Sequence, residues 1–144
     1  AVGRLHPDMI IHLGDCWADA EQLHRKFPMT IMEQVPGNCD CRQDILERIL
    51  LIEGKKILIC HGHTFNVKAG YLNLEYAAEE RKVDAALFGH THRVFYDKHN
   101  RIAYMNPGSI GQPPYGIPPS YGVLQVDGSS NTIATDVIYL EENN

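Results

Sequence analysis

Two His-x-His pairs constrain this chain more than any other feature. His61-Gly62-His63 follows the apolar run Ile57-Leu58-Ile59-Cys60, and His90-Thr91-His92 follows Ala85-Ala86-Leu87-Phe88-Gly89. Both runs are short and almost continuously apolar, the pattern of parallel strands buried on two faces. A lone histidine is usually a surface or core residue. Two pairs, each leaving a buried strand at its carboxyl end, point to a site. In an extended segment the two side chains of His-x-His leave one face about 6–7 Å apart. That spacing suits ligands of two neighbouring metal ions.

The rest of the chain supplies the frame. Residues 8–13 read as another buried strand, ending at Gly14-Asp15, and residues 30–35 as a further one, closed by Pro36-Gly37-Asn38. Residues 18–26 have helical spacing, with Ala20, Leu23, His24 and Phe27 on one side and Pro28 as the stop. Residues 48–52 and 55–60 flank Glu53-Gly54 as a hairpin. Residues 67–82 read as one helix whose buried side is Ala69, Leu72, Tyr76 and Ala77. Beyond Val94 the pattern is all strand (94–96, 102–105, 121–126, 132–140), interrupted by the Pro- and Gly-rich loop 106–119. This predicts an α/β fold of two β-sheets packed face to face with helices outside, a single domain over residues 1–144.

Composition excludes several functions. With 44% hydrophobic and 22% charged residues the chain is globular rather than disordered. Its net charge of −5 argues against duplex nucleic acid, which needs a basic surface. A phosphate substrate remains open, because bound metal supplies positive charge locally. The apolar runs are strand-sized, short of the roughly 18 residues of a membrane helix, so no membrane partner is expected. Cys16, Cys39, Cys41 and Cys60 make no disulfide framework, and the cytoplasm is the expected compartment.

In open α/β sheets ligands gather at the carboxyl ends of strands. Asp15, Asn38, His61, His63, His90 and His92 all fall there. A carboxylate, an amide oxygen and four imidazoles form a mixed N/O set, suited to Mn, Fe, Ni, Co or Zn rather than Mg or Ca. Two metals about 3.5–4 Å apart can clamp the attacking and leaving oxygens of an in-line displacement at phosphorus. A carboxylate can bridge them, and Asp15 is the candidate. Plainer readings stand beside these: Asp15 as a turn residue, Asn38 in a left-handed turn, His63 lining a substrate site without touching metal. Cys39-x-Cys41 is tighter than the C-x₂₋₄-C of zinc ribbons and is set aside. Cys16 and Cys60 read as small buried residues, Trp17 as a core residue, and His6, His24 and His99 as surface.

Taken together, Leu13-Gly14-Asp15, Pro36-Gly37-Asn38-Cys39-Asp40, His61-Gly62-His63, Gly89-His90-Thr91-His92-Arg93 and Asn106-Pro107-Gly108-Ser109 resemble the small calcineurin-like metallophosphoesterases of bacteria and archaea. The resemblance runs in order from about residue 9 to 140. It implies two divalent transition-metal ions, manganese first, with nickel, iron, cobalt or zinc as alternatives. Asp15 would bridge them; Asn38, His61 and His90 would complete the second metal, and His92 would bind the first. A hydroxide between the metals would attack the phosphorus of a phosphodiester or simple phosphate ester, with Asp15, Asn38 and His63 at the chemistry. Relatives often carry a basic residue near Pro114; here Arg93 is left as the phosphate contact.

Where many relatives have histidine as leaving-group acid, this chain has Cys39. The proton would then come from water or from His63, or the substrate would carry a good leaving group. The family's first strand bears an Asp-x-His pair for the first metal, and no such pair precedes Met9. The expectation is an N-terminally truncated domain whose first metal keeps Asp15 and His92. The expected partner is a small phosphate-ester substrate, with a homo-oligomer left open. The alternative is a catalytically impaired scaffold of the same fold, as in the eukaryotic retromer subunit that resembles this family.

Overall fold

The computed structural model describes residues 1–42 and 45–141. In chain order it contains α1 (Val2–Leu5), β1 (Met9–His12), α2 (Trp17–Lys26), β2 (Ile31–Gln34), β3 (Glu47–Ile52), β4 (Lys55–Cys60), α3 (Leu72–Glu80), β5 (Ala85–Leu87), β6 (Val94–His99), β7 (Ile102–Pro107), β8 (Ser120–Asp127) and β9 (Thr132–Tyr139). This is the expected α/β architecture of stacked sheets with few helices.

The centre is a five-stranded sheet in the order β3-β4-β5-β7-β6. β4, β5 and β7 run parallel, Leu58 opposite Ala86 and Ala86 opposite Tyr104, while β3 and β6 are antiparallel edges. Strands in the middle of a covered sheet must be apolar on both faces, which is why Ile57, Leu58, Ile59 and Cys60 are all buried. Alternate residues face opposite layers. Leu58, Cys60, Ala86, Phe88 and Tyr104 face α3, contributing with Leu74 and Ala78 to one core. Ile57, Ile59, Ala85, Leu87, Ala103 and Met105 face the other side, where Met9, Ile11, Leu13, Leu124, Ile133 and Val137 cover them. That second layer is not one sheet. It is two pairs, β1-β2 parallel and β8-β9 antiparallel, with α2 following β1.

The predicted helix over residues 67–82 is a correction. One 3₁₀ turn spans His63–Phe65, Asn66 and Gly70 have φ of 53° and 154°, and the helix begins only at Leu72. A φ near 150° cannot belong to a right-handed helix. The buried side shifts accordingly to Leu74, Ala77 and Ala78, leaving Leu72 and Tyr76 exposed. Trp17 and Cys16 are corrections too. Trp17 is half-buried at the start of α2, its indole Nε1 donating to Glu21 and Arg42 stacked on its ring, and Cys16 is exposed. On α2 only Ala20 is buried, and His24 is exposed like His6 and His99.

Candidate metal centre

The carboxyl ends of β1, β2, β4 and β5 meet at one rim, and each delivers one side chain to a common point. That point is Nε2 of His61, a residue only 2% exposed. It lies 3.1 Å from Asn38 Oδ1, 3.1 Å from His90 Nδ1 and 3.5 Å from Asp15 Oδ2. His63 stands beside them, its ring centre 5.4 Å from that of His61 and 6.1 Å from that of His90, with a buried Nδ1 that has no partner. His92 is half-buried and Arg93 exposed on the same loop as His90. Among the described residues neither makes a side-chain hydrogen bond to this cluster.

The protonation state of His61 follows from its other nitrogen. Nδ1 is 2.7 Å from the Leu13 carbonyl oxygen, which can only accept, so Nδ1 carries the proton and Nε2 is bare. Burial holds the His61 pKa below its ordinary value, against the opposing pull of the Leu13 carbonyl and Asp15. The His61–Asp15 approach is therefore not an ion pair. His90 is pushed down to about 4, by burial first and then by His61, Lys68 and His63. Both rings are neutral near pH 7, the state in which imidazole binds metal.

A bare nitrogen thus faces a carboxylate oxygen and an amide oxygen, with too few protons to satisfy them. Ligands held about 2.1 Å from a single ion stand roughly 3.0–3.4 Å from one another; Asn38 Oδ1 and His90 Nδ1 stand at that spacing from His61 Nε2, and Asp15 Oδ2 slightly beyond it at 3.5 Å. Among the described residues no three His, Cys, Asp or Glu side chains form a ready cage by themselves. The convergence needs the amide of Asn38 and centres on one nitrogen. By donor type, two imidazoles, a carboxylate oxygen and an amide oxygen, the set suits a divalent transition metal.

The turns are held by tertiary contacts. Asp15, Cys16, His90 and His92 have φ of 61°, 54°, 67° and 57°, left-handed values that few non-glycine residues adopt. Asn38 is not among them, contrary to its plainer reading. The Asp15 carboxylate accepts from the Cys39 backbone N–H at 3.1 Å. Gly37 must lack a side chain, because a Cβ there would run into the Asp15 carboxylate. Two residues unremarked in the sequence organise these turns. Asp40 accepts from Trp17 N–H at 2.9 Å and from Gly37 N–H at 2.7 Å, joining the Asp15 turn to the Asn38 turn. Asn106 bonds the His90 loop from beneath. Both lie inside the Gly-Asn-Cys-Asp and Asn-Pro-Gly-Ser runs, so the motif was visible although their roles were not.

Cys39 is exposed beside Asn38, and the Asp15 carboxylate, followed by burial, raises its thiol above the usual range. It is therefore a protonated thiol near pH 7. Cys60 is deep in the core and pushed up to about 12 by burial, as expected of an inert structural thiol.

A family model, the calcineurin-like phosphoesterase superfamily domain, matches residues 2–129. The chain belongs to this superfamily. It is 35% identical over 128 residues to the probable metallophosphoesterase YsnB of Bacillus subtilis, covering 88% of this chain and 73% of that one. It is 30% identical over 114 residues to the phosphodiesterase YfcE of Escherichia coli, covering 79% of this chain. The chain spans 50% of the length of YfcE. Among solved structures, a predicted phosphoesterase of Streptococcus pneumoniae superposes with a TM-score of 0.77 at 26% identity, covering 92% of this chain and 74% of that one. Membership makes this a metallophosphoesterase domain, and divalent metal ions are implied by the superfamily. No helix among the described residues is long and apolar enough to cross a membrane.

Proposed function

We propose that this chain is a metal-dependent phosphodiesterase, hydrolysing phosphodiesters or simple phosphate esters with two divalent transition-metal ions, manganese first. The observation that carries the reading is the bare Nε2 of His61, surrounded at 3.1–3.5 Å by Asn38, His90 and Asp15. These four would hold the second metal, while Asp15 and His92 would serve the first. Such a pair would polarise the phosphoryl oxygens and lower the pKa of a bound water.

The chain's own residues do the rest. The Leu13 carbonyl keeps His61 in the tautomer that presents a lone pair. The Cys39 N–H orients Asp15. His63, whose ring centre stands 5.4 Å from that of His61 and whose buried Nδ1 has no partner, would move a proton to the leaving oxygen; Cys39 is too weak an acid for that role. Arg93, exposed on the His90 loop, would meet the phosphate from solvent. Free thiols at all four cysteines support a cytoplasmic setting. The scaffold alternative is not favoured, since the relatives bear the names metallophosphoesterase and phosphodiesterase.

The test is His90→Ala. Manganese content after dialysis should fall about 10-fold or more against wild type, because one of four donors at the second metal is gone. Hydrolysis of bis(p-nitrophenyl) phosphate should fall with it. Equal metal retention in the two proteins would remove His90 from the ligand set.

A further inference from the structure

Asn106, next to last in β7, is fully buried, 0% exposed, and lies outside the donor set described above. Both of its amide hydrogens and its amide oxygen are engaged. Nδ2 donates to the Gly89 carbonyl at 2.9 Å and to Thr91 Oγ1 at 3.0 Å, while Oδ1 accepts from Gly108 N–H at 3.0 Å. Both donor bonds end on residues flanking His90. That residue and His92 sit at φ of 67° and 57°, and a backbone in that region persists only where its surroundings over-determine it. Gly89 is pinned from several sides: its N–H donates to the His61 carbonyl at 2.9 Å, and its own carbonyl accepts from Thr91 N–H at 2.8 Å as well as from Asn106. Thr91 Oγ1 accepts from Arg93 N–H at 3.2 Å, which extends the brace to the end of the loop.

We propose that Asn106 is a positioning residue which, through Gly89 and Thr91, holds the His90 loop in the conformation that brings His90 Nδ1 to His61 Nε2. Only an amide fits. The brace needs two donated bonds on one side and one accepted bond on the other. A carboxylate would keep the bond from Gly108 but set an acceptor against the Gly89 carbonyl. The purpose of the brace rests on the metal reading above; its existence does not.

The first experiment therefore uses metal-free protein. In Asn106→Asp, amide hydrogen exchange at Gly89, Thr91 and Arg93 should accelerate about 10-fold or more, while the amides of Leu58, Ile59, Ala86 and Leu87 keep wild-type rates. Unchanged loop exchange, or uniform acceleration that includes β4 and β5, overturns the proposal. The second experiment titrates Mn²⁺ into the same variants. Asn106→Asp should weaken binding about 10–100-fold, and the double variant with His90→Ala should bind no more weakly than His90→Ala alone. Additive losses would show that Asn106 does not act through His90, and would overturn it. If His90→Ala leaves Mn²⁺ affinity unchanged, the metal reading fails, and the exchange pattern still decides the brace. Should Asn106→Asp not fold, Thr91→Val removes one acceptor of the same amide. Arg93 N–H also loses its partner in that variant, so faster exchange at Gly89 as well as Arg93, with β4 and β5 at wild-type rates, is expected, and an unchanged Gly89 would overturn the proposal.

Discussion

The two ends of the central sheet use left-handed backbone for opposite purposes. At one end, Glu53 and Gly54 (φ 49° and 79°) close the β3-β4 hairpin, and Asn100 and Arg101 (φ 48° and 66°) close β6-β7. Two consecutive positive φ values make the type I′ turn that matches strand twist. These turns are solved locally. The β8-β9 turn lies at the same end, Gly128 close to Glu53, and there Asp127 gathers Ser129 and Ser130 around its own carboxylate. At the other end, Asp15, Cys16, His90 and His92 take the same backbone region with no hairpin to close. They are held by Asp40, the Cys39 N–H and Asn106, which come from other segments. The hairpin rim uses left-handed residues to turn the chain. The site rim uses them to aim side chains, and needs help from a distance to keep them there.

That contrast can be broken by experiment. The largest effect is expected from Asp40→Ala, which unties the Asp15 and Asn38 turns. Phosphodiesterase rate and Mn²⁺ affinity should each fall about 10–100-fold, as is typical when the support of a metal ligand is lost. Stability should drop by only about 1–3 kcal/mol, the cost of two lost backbone partners. A full-rate Asp40→Ala enzyme would mean that the site turns are self-sufficient, and the two ends would no longer differ.

The next effect belongs to the hairpin rim. Gly54 has φ of 79° and open space where a Cβ would go. Gly54→Ala should therefore cost about 1–2 kcal/mol of strain and nothing by clash. Thermal melts would read this, with Mn²⁺ affinity and rate unchanged. A loss of metal binding there would show the two rims to be coupled.

The smallest effect concerns Asp127, whose carboxyl is held down to about 2 by hydrogen bonds from Ser129 and Ser130. A carboxyl depressed in the folded state stabilises above its unfolded pKa of 3.8 and loses that contribution as pH falls through about 2. Asp127→Ala should therefore melt slightly below wild type at pH 6, and the gap should close toward pH 2. A gap that stays constant with pH would refute the carboxylate as its cause.

Much of the fold was legible because its strands are extreme. Ile57-Leu58-Ile59-Cys60 and Ala85-Ala86-Leu87-Phe88 are apolar on both faces, which only a covered parallel sheet explains. Glu53-Gly54 announced its hairpin by residue type alone. Failure came where local pattern and three-dimensional phase diverge. Residues 67–82 carry helical spacing throughout, yet Gly70 interrupts it and the buried side rotates to Leu74 and Ala78. Trp17 looked like core by composition, but its place at the first turn of α2 leaves the indole at the surface with Glu21 and Arg42.

The site divides in the same way. The residue types and their positions after strands are properties of the sequence: a carboxylate after β1, an amide after β2, imidazoles after β4 and β5. So is the chemistry they can support, because donor type decides which metals bind. The family resemblance grouped Asp15, Asn38, His61 and His90, but only the tertiary structure decided how closely they meet. His61 reaches Asn38, His90 and Asp15 because its strand lies in the central sheet and the others end around it, across separations of 23 to 48 residues including its Leu13 bond. The braces Asp40 and Asn106 were likewise invisible as such. An aspartate or asparagine in a motif reads equally as ligand, turn or support, and what separates these roles is which backbone N–H and C=O groups fold against it.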